Sequence, residues 1–165
     1  MTVPTPPDYV AFVSYGNDSI ALLQWLHEKI QTLGGMDGSA SILVVHNDTG
    51  WASPAWPARV AAGEALAVRY GFKTARTESE GLVQLTRRKK SWPSNQHQFC
   101  TTELKILPTQ RLLDVIDPLK ESICLNGVRR EESRERSVWP EWTEVSERHG
   151  DRTLWSPLVR VLEPE

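Results

Sequence analysis

The sequence is poor in cysteine, has no long apolar run and carries almost no net charge. Two cysteines in 165 residues exclude a disulfide-rich scaffold and cannot supply the four thiolates of an iron–sulfur cluster within one chain. No apolar run approaches the roughly 20 residues that span a bilayer, and the first residues lack a secretion signal, so we expect a cytoplasmic protein without a membrane segment. A net charge of -2 excludes a global positive field for nucleic acid.

What is present is the composition of one domain. A hydrophobic share of 39% is enough for a single core. We expect residues 1–8, which are rich in proline, to be a flexible leader, and residues 9–165 to form one domain.

Strand-like apolar runs alternate with helical patterns along the chain. We predict strands at 9–13, 41–46, 72–77, 121–126 and 153–162. Helices are predicted at 19–33 (ending at Gly34 and Gly35), 57–70 and 102–115, with a partly helical stretch at 81–90. This alternation predicts an α/β fold of three layers, a doubly wound and mostly parallel sheet with helices on both faces.

Three loops follow predicted strands, at 14–19, 47–50 and 127–136, and ligands of such sheets bind beyond the carboxyl ends of the strands. We therefore expect these loops to meet at one crevice. The first, Ser14-Tyr15-Gly16-Asn17-Asp18-Ser19, lies between a strand and a helix, where backbone N–H groups and the helix dipole favour a phosphate. A tight turn with a capping residue explains the same six residues without a ligand.

The loop at 127–136, GVRREESRER, has four arginines in ten residues. Arginine forks suit the oxygens of phosphate or sulfate. The alternative is a solvated loop in which Glu131, Glu132 and Glu135 neutralise the arginines.

Cys100 and Lys105 are separated by about a turn and a half if their segment is helical. A nearby ammonium group stabilises a thiolate, so Cys100 is a candidate nucleophile. The alternative for a lone cysteine is a small buried side chain, which is our expectation for Cys124 within an apolar strand.

Taken together, five segments resemble the phosphoadenosine phosphosulfate (PAPS) reductase family, which has the PP-loop, or adenine nucleotide α-hydrolase, fold. SYGNDS at 14–19 is similar to the family's SGGKDS phosphate loop, and HNDTG at 46–50 to its DTG. CTTELKILP at 100–108 resembles its CCxxRKxxPL, GVRREESRER its GxRRxxSxxR, and WSPL at 155–158 its aromatic-x-Pro-Leu element. The resemblance spans residues 9 to 158 in the family's order.

The resemblance implies an adenine nucleotide, PAPS or ATP, with its phosphates on the 14–19 loop and its adenosine near residues 44–50. The terminal sulfate or phosphate would face Lys105, Arg129, Arg130 and Arg136. Cys100, Lys105 and Arg130 become the candidate catalytic residues. The candidate nucleotide-binding residues are Ser14, Tyr15, Gly16, Asn17, Asp18, Ser19, Asp48, Thr49, Gly50, Gly127, Arg129, Arg130, Ser133 and Arg136.

Three departures from the family pattern bear on chemistry. Asn17 replaces the lysine of the phosphate loop, and Thr101 replaces the second cysteine of the paired-cysteine motif, so we expect no iron–sulfur cluster. The family's cluster-free branch uses a cysteine in a C-terminal tail, whereas this sequence ends at Pro164 and Glu165. Reduction would then use Cys100 or the thiol of a partner, or would not occur.

Three functions remain open from the sequence. The first is an oxidoreductase of sulfur metabolism that reduces PAPS to sulfite and adenosine bisphosphate with a thioredoxin-like reductant. The second is an ATP pyrophosphatase that adenylates a substrate for sulfur transfer, with a sulfur-donor protein and with nucleic acid only as a substrate to be modified; it needs Mg²⁺, for which Asp18 and Asp48 are candidates. The third is an inactive nucleotide-binding module, and a homo-oligomer is compatible with each.

Overall fold

The computed structural model describes residues 5–33, 40–94 and 97–161. The strands are β1 (Tyr9–Val13), β2 (Ile42–Asn47), β3 (Lys73–Thr77), β4 (Ile123–Leu125), β5 (Trp142–Ser146) and β6 (Arg152–Trp155). The helices are α1 (Asn17–Leu33), α2 (Trp56–Arg69), α3 (Leu82–Lys89), α4 (Phe99–Thr101), α5 (Leu107–Ile116) and α6 (Leu158–Val161). A π-helical turn at Thr102–Ile106 joins α4 to α5 without a break.

The strands form one sheet in the order β3-β2-β1-β4-β6-β5. All neighbouring pairs are parallel except β5 with β6. This confirms the predicted mostly parallel, doubly wound α/β fold. Because β1 lies between β2 and β4, the chain turns to one side of β1 first and to the other side later, which opens a crevice at the carboxyl ends of β1 and β4.

Alternating side chains of each inner strand supply two separate cores. In β1, Ala11 and Val13 pack with residues of α1 and α2 on one face of the sheet, such as Leu22 of α1. Val10 of β1 packs on the opposite face with Leu113 of α5. Burial on both faces explains why these strands are continuous apolar runs in the sequence, and it gives the three layers that the alternation predicts.

The structure differs from the prediction near the C-terminus. The sequence does not predict β5, an edge strand with largely exposed residues and an irregular register between Thr143 and Ser146. Within the described residues, β6 is its one partner strand. The prediction of a strand at 153–162 is wrong beyond Trp155, because Pro157 has no N–H for a sheet and α6 follows. The predicted ending of the first helix at Gly34 and Gly35 and residue 162 lie outside the described residues.

The helix predicted at 102–115 begins earlier, at Phe99, and continues through Pro108. Among residues 5–33, 40–94 and 97–161, no helix has the length and apolar character to cross a membrane.

Candidate functional site

A cavity of about 490 Å³ lies at the carboxyl ends of β1 and β4. It is bordered by the loop after β1, the loop after β4 and the segment around α4. Its lining residues are Phe12, Val13, Ser14, Asp18, Ser19, Asn47, Gln98, Thr101, Lys105, Asn126, Gly127, Val128, Glu132, Arg136 and Arg148.

A second cavity of about 420 Å³ adjoins the first and shares Ser14, Asn47 and Lys105 with it. Asp48 and Thr49, from the loop after β2, also line this second cavity. The two cavities form one crevice along the carboxyl edge of the sheet. The structure thus brings together the three loops that the sequence places after strands.

The loop after β1 is held closed by its own serines. The Ser14 N–H donates to Ser19 Oγ over 3.0 Å, and the two hydroxyl oxygens lie 3.3 Å apart. Ser14 Oγ also accepts the Gly16 N–H at 3.4 Å. These contacts fix the backbone at the start of α1, where the positive end of the helix dipole meets the cavity.

Tyr15 contributes its backbone to this loop, while its side chain belongs to the core. The ring is fully buried, 5.4 Å from the ring of His46, and a Cβ on Gly63 of α2 would lie only 2.1 Å from it. Burial, followed by the charge of Glu64, raises the pKa of Tyr15 to about 12. Tyr15 has a φ of 58°, a left-handed conformation unusual for a bulky residue, so packing of its ring against Gly63 holds the loop in place.

Arg59 of α2, which sequence reasoning missed, supports the same loop. Its Nε donates to the Tyr15 carbonyl oxygen over 2.6 Å, and its Nη2 donates to Asn17 Oδ1 over 2.5 Å. The guanidinium carbon also lies 5.3 Å from the ring centroid of Trp56. A fixed positive charge therefore stands beside Asn17, the position where the resemblance expects a lysine. An isolated exposed arginine on a helix gives no sequence signal of this placement.

The loop after β4 packs closely on the start of α1. A Cβ on Gly127 would lie 2.9 Å from the carbonyl oxygen of Asp18, so only glycine allows this approach. Arg129 Nε lies 2.7 Å from Asp18 Oδ1. The predicted Arg129 and Asp18 are thus joined in an ion pair at the edge of the cavity.

The other residues of the arginine-rich loop divide into two groups. Arg136 lines the cavity and is paired with Glu132, which also lines it. Arg130, by contrast, directs Nε and Nη2 to the Trp139 carbonyl oxygen, each over 3.4 Å. Ser133 Oγ accepts the N–H of Arg136 at 3.2 Å. Arg136 therefore faces the cavity, and its pairing with Glu132 is a contact that the alternative of an internally neutralised loop predicts.

The segment around α4 presents Thr101 and Lys105 to the cavity. Cys100, one position away on the helix, is partly buried and is absent from the described residues that line either cavity. Cys124 is fully buried in β4, and burial raises its thiol pKa to about 12, which fits the expected structural role.

Arg148 also lines the cavity and was not predicted. It comes from the turn Glu147–His149 after β5, which is anchored by His149. The His149 ring lies 5.2 Å from Phe12, and its Nδ1 lies 2.8 Å from Ser146 Oγ. Burial, with the charges of Arg148 and Arg152, lowers the pKa of His149 to about 4. Lys105, Arg136 and Arg148 therefore reach one cavity from three different elements.

The loop after β2 is organised by Asp48, whose Oδ1 accepts the Gly50 N–H at 2.8 Å. Gly50 has a φ of 61°, and a Cβ there would lie 3.0 Å from the Cα of Gly81, so the predicted Gly50 allows this loop to meet the start of α3. The Thr49 carbonyl oxygen accepts the Leu82 N–H at 2.9 Å. Within the described ranges, no group of three or more metal-ligating side chains occurs.

A family model for the phosphoadenosine phosphosulfate reductase domain matches residues 8–162. The chain belongs to this family. The match covers the whole sheet and every loop of the crevice. No curated protein matches the sequence.

Solved structures show the same fold as this PAPS reductase family member. Phosphoadenylyl-sulfate reductase from Candida auris, solved as a phosphate complex, aligns with a TM-score of 0.57 and 17% identity over 93% of this chain and 66% of its own. FMN adenylyltransferase from Candida glabrata, with FAD and inorganic pyrophosphate, aligns with a TM-score of 0.60 and 11% identity over 94% of this chain and 45% of its own. A mutant of that adenylyltransferase aligns with a TM-score of 0.60 and 10% identity over 95% and 44%.

The chain therefore spans just under two thirds of the reductase and less than half of the adenylyltransferase. At these identities the likeness shows a shared fold.

Proposed function

We propose that the crevice binds an adenine nucleotide, with its phosphates against residues 14–19 and its terminal anionic group between Lys105, Arg136 and Arg148. The observation that carries this proposal is the presence of three cations from separate elements in the cavity that also contains the start of α1. The neighbouring cavity beside Asp48 and Thr49 has room for the nucleoside. Family membership supports the same ligand class.

The charges of the cavity suit a ligand that is itself anionic. Arg136 pairs with Glu132, and a guanidinium has five N–H donors, so this carboxylate leaves donors of Arg136 for a ligand. Each remaining charge-assisted hydrogen bond to a phosphate or sulfate oxygen contributes about 1.5–3 kcal/mol.

The reaction that we propose is transfer of the sulfonate of PAPS to a thiol. A thiolate attacks the sulfur, the bond from sulfur to the phosphate oxygen breaks, and adenosine bisphosphate leaves with the electron pair. A second thiolate then attacks the sulfur atom of the first thiol, which releases sulfite and forms a disulfide. Because Cys100 is absent from the described cavity lining, we assign both thiols to a separate dithiol protein of the thioredoxin kind.

A second candidate is cleavage of ATP between its α- and β-phosphates. The favouring observation is that Asp18 lines the first cavity of the crevice and Asp48 lines the second. Each carboxylate already has one partner, Arg129 for Asp18 and the Gly50 N–H for Asp48. This donor set fits Mg²⁺ that arrives with the phosphates, since Mg²⁺ is usually bound by one or two carboxylates plus phosphate oxygens.

Calorimetric titration with PAPS and with ATP plus Mg²⁺, followed by product analysis with and without a dithiol reductant, separates the two reactions. We expect tighter binding of PAPS and release of sulfite only when the reductant is present. Pyrophosphate from ATP would establish the second candidate instead. Failure to bind either nucleotide would contradict the whole proposal.

The role of the cavity cations is tested by Arg136→Ala. Loss of a charge-assisted contact predicts nucleotide binding weaker by at least about tenfold, without loss of fold. Arg134→Ala is the matched control, because Arg134 is an exposed arginine of the same loop that does not line either cavity. Equal dissociation constants for the two variants would remove Arg136 from the site.

A further inference from the structure

A second basic feature lies outside the crevice, at the end of α3. Four consecutive cations, Arg87, Arg88, Lys89 and Lys90, occur here in a chain whose net charge is -2. Arg88 is paired with Glu80 and Glu103, at 2.5 and 3.4 Å, and Lys89 is 2.9 Å from Glu103. No ion pair of Arg87 or Lys90 occurs within the described part of the chain. Two of the four charges are therefore not neutralised locally.

These two cations lie beside exposed tryptophans. Arg87, Lys90 and Trp92 line a groove of about 410 Å³ together with Val83, Thr86 and Ser91. Trp92 is 62% exposed, and Trp51, with its ring centroid 6.0 Å away in an edge-on arrangement, is 58% exposed. Two large aromatic side chains left in water beside free cations are typical of a binding surface rather than of packing.

The tryptophan pair connects the groove to the crevice. Trp92 lines the groove, and Trp51 lines the second cavity of the crevice, next to Asp48 and Thr49. The tryptophan pair therefore forms the boundary between the two. A polymer bound in the groove would pass the mouth of the nucleotide crevice.

We propose that this groove binds a single-stranded nucleic acid, with backbone phosphates on Arg87 and Lys90 and an unpaired base stacked on Trp92. Charge complementarity selects a polyanion, and the open aromatic faces select one with exposed π-systems. A duplex hides its base faces, and an acidic polypeptide has none. This inference goes beyond the proposed function, which concerns a mononucleotide in the crevice.

The test uses the whole chain and a fluorescein-labelled oligothymidylate of about 20 nucleotides, followed by fluorescence anisotropy over a series of salt concentrations. The double variant Arg87→Ala/Lys90→Ala should bind at least about tenfold more weakly, with a log–log salt slope shallower by about 1.4 because two phosphate contacts are lost. Trp92→Ala should bind about fivefold more weakly with an unchanged slope, since stacking does not release counterions.

The matched control is Arg69→Ala/Arg111→Ala, which removes the same charge from exposed positions on α2 and α5. We expect wild-type affinity and slope for this control. Adenine nucleotide titration of each variant is a separate readout, and the affinity of the crevice should not change in Arg87→Ala/Lys90→Ala.

Three results would overturn the inference. They are an absence of oligonucleotide binding by the wild type, equal binding of a blunt duplex or of poly-glutamate, and equal weakening in the control double variant. Complete displacement of the oligonucleotide by a mononucleotide, with no effect of the groove variants, would assign the binding to the crevice. None of these results alters the test of nucleotide binding itself.

Discussion

Two arginines, Arg152 at the start of β6 and Arg136 in the loop after β4, differ in how their hydrogen-bond donors are used. Arg152, at the start of β6, is fully buried. It donates to Asp117 Oδ2 over 2.7 Å, to the carbonyl oxygens of Leu113, His149 and Gly150 over 3.1, 3.2 and 3.3 Å, and to the carbonyl oxygen of Asp117. Arg136, in the crevice, faces a cavity with Glu132 as its ion-pair partner.

The difference separates structural arginines from arginines available to a ligand. Every nitrogen of Arg152 has an acceptor within the protein, so nothing remains for a ligand. Asp117 is satisfied in the same way, because it also accepts the N–H groups of Glu121 and Ser122 at 2.9 and 3.1 Å. Burial alone would raise the pKa of Asp117, but Arg152 and these two N–H groups outweigh it and hold the pKa below its usual value.

The largest effect is expected from Asp117→Ala, which breaks the buried pair of Arg152 and Asp117. This change leaves the Arg152 charge buried without its carboxylate, which predicts a loss of about 3–5 kcal/mol in the free energy of unfolding. Chemical denaturation of the variant measures this loss.

The control for this variant is Lys120→Ala, which breaks an exposed pair with Asp151 at 3.0 Å. Surface pairs contribute about 0–1 kcal/mol, so the control should be nearly neutral. If both variants lost the same small amount of unfolding free energy, the buried pair of Arg152 and Asp117 would not stabilise the fold.

A smaller effect is expected from protonation of His149, whose carbonyl oxygen accepts from Arg152 and whose neighbour Arg148 lines the cavity. Its folded pKa of about 4 is below the value of 6.5 for the free side chain. The unfolded chain therefore binds more protons between these values, and the free energy of unfolding falls as the pH is lowered from about 6.5 to 4, by at most about 3 kcal/mol.

His149→Gln isolates this contribution, because Asp117 and the other carboxylates titrate in both proteins. The difference in unfolding free energy between wild type and variant should change across this pH window and be constant above it. Parallel pH profiles would mean that His149 titrates normally in the folded protein.

The inner sheet was predictable from the sequence, whereas its edge was not. β1 and β2 are buried on both faces and therefore appear as unbroken apolar runs. β5 has an exposed tryptophan, Trp142, and an exposed valine, Val145, with charged neighbours, so its strand conformation depends on pairing with β6, a tertiary contact.

The same distinction holds for the candidate site. The loops at 14–19, 47–50 and 127–136 follow strands, so topology alone predicts that they meet. Arg59 lies in an alanine-rich helix and Arg148 lies in a charged turn, so only the folded chain brings them to the loop after β1 and to the cavity. Cys100 shows a further limit, because one position along a helix rotates a side chain by about 100° and leaves Thr101 at the cavity instead.

The smallest effect is expected for Arg59→Ala. This variant also tests how an exposed arginine contributes to the ligand crevice. Arg59 is exposed and contacts the loop through the Tyr15 carbonyl oxygen and Asn17 Oδ1, so its loss should change the free energy of unfolding by less than about 1 kcal/mol. Nucleotide binding should weaken about threefold to tenfold, because the loop loses both its adjacent charge and a fork that fixes two of its groups. Arg59→Lys restores the charge but not the fork, so calorimetric titration of both variants separates electrostatic attraction from positioning. Wild-type affinity in Arg59→Ala would show that the serine contacts and the buried Tyr15 ring suffice to hold the loop.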